Sequence, residues 1–194
     1  MRVTGGQLGG RRLARPPRDV RPTADRVREA LFARLPDLSG WSVLDLYAGT
    51  GALGIEALSR GAGRAVFVER RQSSLTVLRR NLHALGLEER ARVLRGDVRG
   101  VLPRLARAGE GFRLVLADPP YGQSDVPEAL GRLGMPGLLH PEATVVVERS
   151  RRHPLALIEG LVARDARRYG DTVLEWLAPA GETGSAGAQG GSNP

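Results

Sequence analysis

The chain has 194 residues, 41% of them apolar, which suits one domain with a real core and an appendage. Its 29 strongly basic residues are all arginine and outnumber 21 acidic ones, for a net charge of +8. Cysteine is absent, excluding disulfides, thiolate-held zinc, iron–sulfur clusters and a cysteine nucleophile.

The three histidines, His83, His140 and His153, are too scattered to suggest a metal site, so no metal is expected. No apolar run approaches the roughly 18 residues of a membrane span. The amino terminus is polar and Gly/Arg-rich, unlike a secretory leader. The expectation is a cytoplasmic protein with no membrane partner. Arginine suits bidentate phosphate contacts and stacking on bases, so nucleic acid is the expected partner class. Aromatics make up only 4%, too few for an extended base-stacking platform.

Residues 1–22 read as a basic arm. Short apolar pieces around Val3 and Leu13 flank Gly5-Gly6-Gln7-Leu8-Gly9-Gly10, a β-hairpin pattern. Arg11, Arg12, Arg15, Arg18 and Arg21 cluster here. Such a segment is either a solvated terminus or a grip on a phosphate backbone; the motifs that follow favour the grip. Thr23 is placed to cap a helix to about Leu35, with Val27, Ala30, Leu31 and Leu35 inward and Asp25, Arg28 and Glu29 outward.

Strands and helices then alternate. Strands are expected over Ser42–Leu46, Ala65–Val68, Ala91–Leu94, Phe112–Ala117 and Thr144–Glu148. Helices are expected after Gly54 to about Arg60, over about Gln72–Leu85, over residues 98–108 despite Pro103, and over 125–133. That rhythm predicts an α/β, doubly wound, mostly parallel sheet. Leu161–Arg167 and Thr172–Leu177, joined through Tyr169-Gly170-Asp171, read as a closing antiparallel hairpin, making seven strands in a domain of residues 23–179. Residues 180–194 are mostly Gly, Ser, Ala, Thr and Pro without periodicity, and are expected to be a disordered tail.

Gly49-Thr50-Gly51 and Gly54 form G-x-G-x-x-G between a strand and a helix, where a backbone turns tightly beside a cofactor. Glu69 ends the next strand, 18 residues after Gly51, where a carboxylate binds ribose hydroxyls. A dinucleotide and S-adenosylmethionine both fit this much. Three features favour the second. Asp45-Leu46-Tyr47 puts a carboxylate before the loop, useful to a zwitterionic methionine tail and unhelpful beside a pyrophosphate. Asp97, followed by Val98, ends the third strand, within reach of an adenine amine. Asp118-Pro119-Pro120-Tyr121 ends the fourth, an acceptor-rich corner with an aromatic beside it, suited to a planar amine.

Leu44–Gly51, Phe67–Glu69, Gly96-Asp97 and Asp118–Tyr121 together resemble the amino-methylating class I S-adenosylmethionine-dependent methyltransferases. Arg2–Gly6, Gly10–Leu13, Arg21–Phe32 and Arg168–Asp171 further resemble the RsmD family. The resemblance covers about residues 1–178. It implies a Rossmann-like methyltransferase fold and methylation of the exocyclic N2 of one guanine in bacterial small-subunit (16S) ribosomal RNA. It implies cofactor binding by Asp45, Tyr47, Gly49, Thr50, Gly51, Gly54, Glu69, Asp97 and Val98. Catalysis falls to Asp118, Pro119, Pro120 and Tyr121, and RNA binding to Arg11, Arg12, Arg15, Arg18 and Arg21. The expected partner is ribosomal RNA or a ribosomal subunit, and the expected state a monomer. Methylation of a DNA adenine or cytosine is the nearest competitor, but such enzymes usually add a recognition domain. Methyltransferases of a protein glutamine amide have asparagine where Asp118 stands.

Overall fold

The computed structural model describes residues 1–14, 25–120 and 126–180. Arg15, Arg18, Arg21, the Thr23 cap, Tyr121 and residues 181–194 of the expected tail lie outside the described residues.

Strands β1 (Ser42–Leu46), β2 (Arg64–Glu69), β3 (Ala91–Arg95), β4 (Phe112–Ala117), β5 (Leu139–Ser150), β6 (Leu161–Tyr169) and β7 (Thr172–Pro179) form one sheet in the order β3-β2-β1-β4-β5-β7-β6. The pairs from β3 through to β5 are parallel, and β7 runs antiparallel to both neighbours. Parallel strands covered on both faces need apolar residues at successive positions. Val66-Phe67-Val68, Leu114-Val115-Leu116-Ala117 and Val145-Val146-Val147 supply them, all buried. The closing hairpin is present, but its second strand is the one against β5, leaving β6 at the edge.

β5 starts five residues before the expected Thr144, because Leu139 pairs with Phe112 ahead of a register shift. It also continues past Glu148, as Arg149 and Ser150 find partners in Val173 and Thr172.

Helices α1 (Asp25–Phe32), α2 (Ala52–Ser59) and α3 (Gln72–Leu85) contribute to one core, packed on one face of the sheet. Helices α4 (Val98–Arg107) and α5 (Val126–Gly131) contribute to a second. This is the doubly wound arrangement expected. Among the described residues, no helix is long and apolar enough to cross a membrane. Pro103 lies inside α4, where it cannot donate to the carbonyl four residues back. That carbonyl, on Arg99, instead accepts from Arg132 Nη1 at 3.2 Å.

The amino-terminal hairpin is short and firmly docked. Arg2 bridges Arg12, and Val3 donates to the Arg11 carbonyl at 3.0 Å. Val3 and Leu13 are buried in the first core. Glu56 of α2 accepts from Thr4 N and Thr4 Oγ1, both at 2.7 Å. Ser59 Oγ donates to the Gly5 carbonyl at 2.6 Å and accepts from Leu8 N at 2.9 Å.

Arg28 departs from the outward position expected for it, being completely buried. Its Nε pairs with Glu56 at 3.4 Å, and its Nη2 pairs with Asp25 at 3.1 Å and donates to the Arg2 carbonyl. Glu56, equally buried, also takes Arg60 Nε at 2.8 Å. A charge inside a core is tolerable only with such partners. Removing one leaves the other exposed to the full desolvation cost, on the order of 3 kcal/mol or more. Arg28→Met should therefore lower the urea midpoint by an amount equivalent to about 3 kcal/mol, and adding Glu56→Gln should recover part of it. A loss in the double variant equal to the sum of the two single losses would show that the pair is not coupled.

Candidate active site

Four strand ends line up along the carboxyl edge of the sheet. Leu46 pairs with Val68 on one side and Ala117 on the other, and Glu69 pairs with Arg95. The residues just beyond, Tyr47, Asp118 and Asp97, therefore share one edge with Glu69. Successive connections leave β1 toward β2 and β4 toward β5, so the order reverses between β1 and β4. Open α/β sheets bind ligands at such a switch point.

The chain turns sharply on leaving β1. Tyr47 takes a left-handed φ of 58°, alone among the described non-glycine residues. That costs a residue with a Cβ on the order of 1 kcal/mol. Ala48 N then donates to the Val68 carbonyl at 3.0 Å, drawing the loop toward β2. Gly49 and Gly51 follow with φ of 55° and 85°. A Cβ on Gly51 would lie 2.3 Å from Leu78, and one on Gly54 would lie 2.3 Å from Phe67. These two glycines let the loop and α2 sit down on the core. Gly49 differs: the nearest atom to its Cβ position is the Tyr47 carbonyl oxygen, at 3.9 Å.

Carboxylates fix this loop from two sides. Asp45, 1% exposed, accepts from Gly54 N at 2.8 Å through Oδ2. Burial pushes its pKa up to about 7; the Gly54 N–H pulls the other way, and the charge of Glu69 adds to the rise. Glu69 accepts from Gly49 N at 2.8 Å through one oxygen and from Arg71 N at 2.7 Å through the other. Asp97 caps α4, accepting from Arg99 N at 3.0 Å and Arg99 Nε at 3.1 Å, with Arg70 at 3.9 Å from its second oxygen. Partial burial raises the Asp97 carboxyl. The Arg99 hydrogen bonds and the charges of Arg99 and Arg70 outweigh that and hold it below the usual range. Val98 is buried directly behind it.

Across the switch point, Asp118 N donates to the Leu46 carbonyl at 3.4 Å, holding the Asp118-Pro119-Pro120 corner against β1. Pro119 is buried, and Asp118 and Pro120 are half-buried. A cavity of about 410 Å³ adjoins the corner. Pro119, Pro120 and Val126 form one wall, and Arg149, Arg152 and His153 line it from the end of β5 and the turn beyond. The sequence reading named the corner and missed these three residues. Their signal was the run Arg149-Ser150-Arg151-Arg152-His153, whose proximity to Pro119 depends on the β4–β5 pairing.

Residues 1–178 match a family model described as conserved hypothetical protein 95. The ribosomal RNA small subunit methyltransferase D of Escherichia coli (strain K12) is 39% identical over 150 residues, covering 76% of this chain and 74% of that protein. The chain belongs to the RsmD family. YlbH of Bacillus subtilis (strain 168) is 37% identical over 175 residues, covering 89% of this chain and 95% of that protein. The solved structure of Escherichia coli yhhF is 32% identical with a TM-score of 0.80, covering 94% of this chain and 99% of that one. The Rossmann-like methyltransferase fold expected from the sequence is thus the fold observed.

Membership in this methyltransferase family brings S-adenosylmethionine as the cofactor. The residues at the switch point fit it. The ribose hydroxyls and the adenine amine of the cofactor are donors and call for acceptors. Glu69 and Asp97 stand on adjacent strand ends as carboxylates held in position by backbone N–H groups. The open side of Gly49 leaves room for close backbone approach. Asp45 lies beneath the loop, where its hydrogen bond to Gly54 shapes the cradle.

The raised Asp45 carboxyl has a measurable consequence. Between its ordinary value of 3.8 and about 7, the folded chain keeps a proton that the unfolded chain releases. Stability contributed by this group falls as pH rises through that window and is flat above it. Asp45→Asn keeps an acceptor for Gly54 N and cannot ionise. Its melting temperature should match the parent's near pH 4 and exceed it at pH 8, by an amount corresponding to on the order of 3 kcal/mol. Thermal scans across that range check this, and a parallel pair of curves would rule it out.

Proposed function

We propose that this chain transfers the methyl group of S-adenosylmethionine to the exocyclic N2 of a guanine in small-subunit ribosomal RNA. The observation that carries the proposal is the Asp118-Pro119-Pro120 corner, held beside β1 with a cavity of about 410 Å³ against it. Relatives named as small-subunit ribosomal RNA methyltransferases support the RNA substrate. The cofactor supplies an electrophilic methyl carbon, and the products are N2-methylguanine, S-adenosylhomocysteine and a proton.

A guanine N2 lone pair is delocalised into the ring and is a weak nucleophile. The Asp118 carboxylate and the Pro119 carbonyl accept from its two N–H groups and turn the lone pair toward the methyl. Proline at 119 and 120 keeps the corner rigid and free of a competing backbone donor. Tyr121 stacks on the base and sets its angle. Asp118 or solvent takes the proton. The target base leaves its stack to enter the cavity, where Arg152 offers charge to the flanking phosphates, while Arg149 is held by Glu175 at 2.5 Å.

In this reading residues 1–22 serve as the RNA arm of a catalytic domain spanning 23–179, acting as a monomer. Arg11 and Arg12 are both exposed, but Arg11 Nη2 already donates to the Ala84 carbonyl at 3.2 Å. Arg12 is therefore the cleaner phosphate contact within the described hairpin.

Incubating small-subunit particles with labelled S-adenosylmethionine and mapping the modified nucleotide tests the assignment. Label on guanine N2 is expected; label at another base position, on DNA or on protein would overturn it. Asp118→Ala should slow transfer on the order of 10²-fold or more while cofactor affinity stays within about threefold. Equal loss of both would make Asp118 a cofactor residue. Arg12→Gln should reduce the salt slope of RNA binding by about 1. Deleting the whole arm would remove Val3 and Leu13 from the core as well, so the single charge change is the more informative measurement.

A further inference from the structure

One buried side chain joins the cofactor loop to the arm. Asn81, on α3 and 3% exposed, accepts from Ala14 N at 2.8 Å through Oδ1. Its Nδ2 donates to the Thr50 carbonyl at 3.0 Å and reaches the Ala14 carbonyl at 3.4 Å. The partners dictate the amide's orientation, since a backbone N–H only donates and a carbonyl only accepts. Asparagine satisfies both in one short side chain. Aspartate would keep the Ala14 N–H bond and set two acceptors against each other at Thr50. Leucine would satisfy neither.

Both sides of the Thr50–Gly51 peptide are held. Gly51 N donates to the Ala48 carbonyl at 2.8 Å, while Asn81 holds the Thr50 carbonyl. A rotation of that peptide cannot occur without moving the Asn81 amide, and the amide cannot move without disturbing Ala14. In the sequence Ala14 leads directly into Arg15, Arg18 and Arg21. The rest of the hairpin is fastened to α2, the helix that the same loop begins, through Glu56 and Ser59.

We infer that Asn81 is a positioning residue that couples cofactor occupancy at the glycine loop to the setting of the amino-terminal arm. This inference rests on the placement of the cofactor at that loop. A cofactor that fixes the loop also fixes Asn81 and the end of the hairpin at Ala14, so the cofactor-loaded chain is the form best prepared for RNA. Linkage is reciprocal: RNA on the arm tightens cofactor binding by the factor by which the cofactor tightens RNA binding.

Amide hydrogen exchange on the full chain, with and without S-adenosylhomocysteine, reads the coupling directly. In the parent chain the ligand should slow exchange at Gly51 and Gly54 and also, by about fivefold or more, at Val3, Gly10 and Ala14. In Asn81→Asp the hairpin effect should vanish while the loop remains protected. The Michaelis constants for cofactor and for RNA should both rise, with kcat within about twofold. Thr76→Ala, on the exposed face of the same helix, should keep the full effect. Loop protection without hairpin protection in the parent chain would overturn the coupling, and that measurement needs no variant to fold. Hairpin protection kept intact in Asn81→Asp would overturn Asn81 as its carrier. A ligand that protects neither region would remove the cofactor placement, and the inference with it.

Discussion

The Gly49–Gly54 loop keeps its shape because hydrogen bonds reach it from three separate elements. Asp45 holds Gly54 from within β1, Glu69 holds Gly49 from the end of β2, and Asn81 holds Thr50 from α3. Each bond fixes a different peptide of a segment rich in left-handed conformations, which glycine adopts at little steric cost but at a high entropic one. A loop of this composition would sample many states alone. Tied at three points it presents one, and the cost of ordering it is met during folding rather than when a ligand arrives. The price is a carboxyl group buried so deeply at Asp45 that it resists ionisation.

Two different chemistries divide the edge of the sheet. On the β1–β3 side lie carboxylates with their positions fixed by N–H donors, an environment for hydroxyl and amine groups. On the β4–β5 side Asp118 follows β4, beside a cavity lined by prolines, aliphatic side chains, the buried Glu148, and Arg149 and Arg152. The reversal of strand order puts these two environments next to each other with only the β1–β4 contact between them. The hairpin and α1 occupy the first core, on the face where α2 and α3 pack, and tie the basic segment to the helix that follows the loop.

The architecture was legible because each central strand is a short, nearly continuous apolar run, a pattern that a sheet covered on both faces imposes locally. The glycine loop, Glu69 and the Asp118 corner were legible for the same reason: each ends a strand, so finding the strand finds the residue. Arg28 was misread because helical spacing alone puts a charged residue outward. Its inward position depends on Glu56, the one charged residue of the mostly apolar α2, and no rule of local spacing links positions 28 residues apart. The same limit hid Asn81, whose two partners lie 67 and 31 residues away. The Arg149–His153 wall was visible as composition but not as a site, since it becomes one only when β5 pairs with β4. The order β5-β7-β6 likewise comes from long-range pairing, because either strand of the closing hairpin reads as a plausible neighbour of β5.

The docked hairpin also bears on how the chain folds. It is synthesised ahead of the elements that hold it: Thr4 waits 52 residues for Glu56, and Ala14 waits 67 for Asn81. Contacts at that separation form late, after the loop-closure entropy has been met by other pairings. At a synthesis rate of roughly 5–20 residues per second, the arginine-rich leading segment therefore spends several seconds without its docking partners, close to the polyanionic surface of the ribosome itself. Its final seat is assembled only when α3 is complete, so the hairpin is made well before the helices that fasten it.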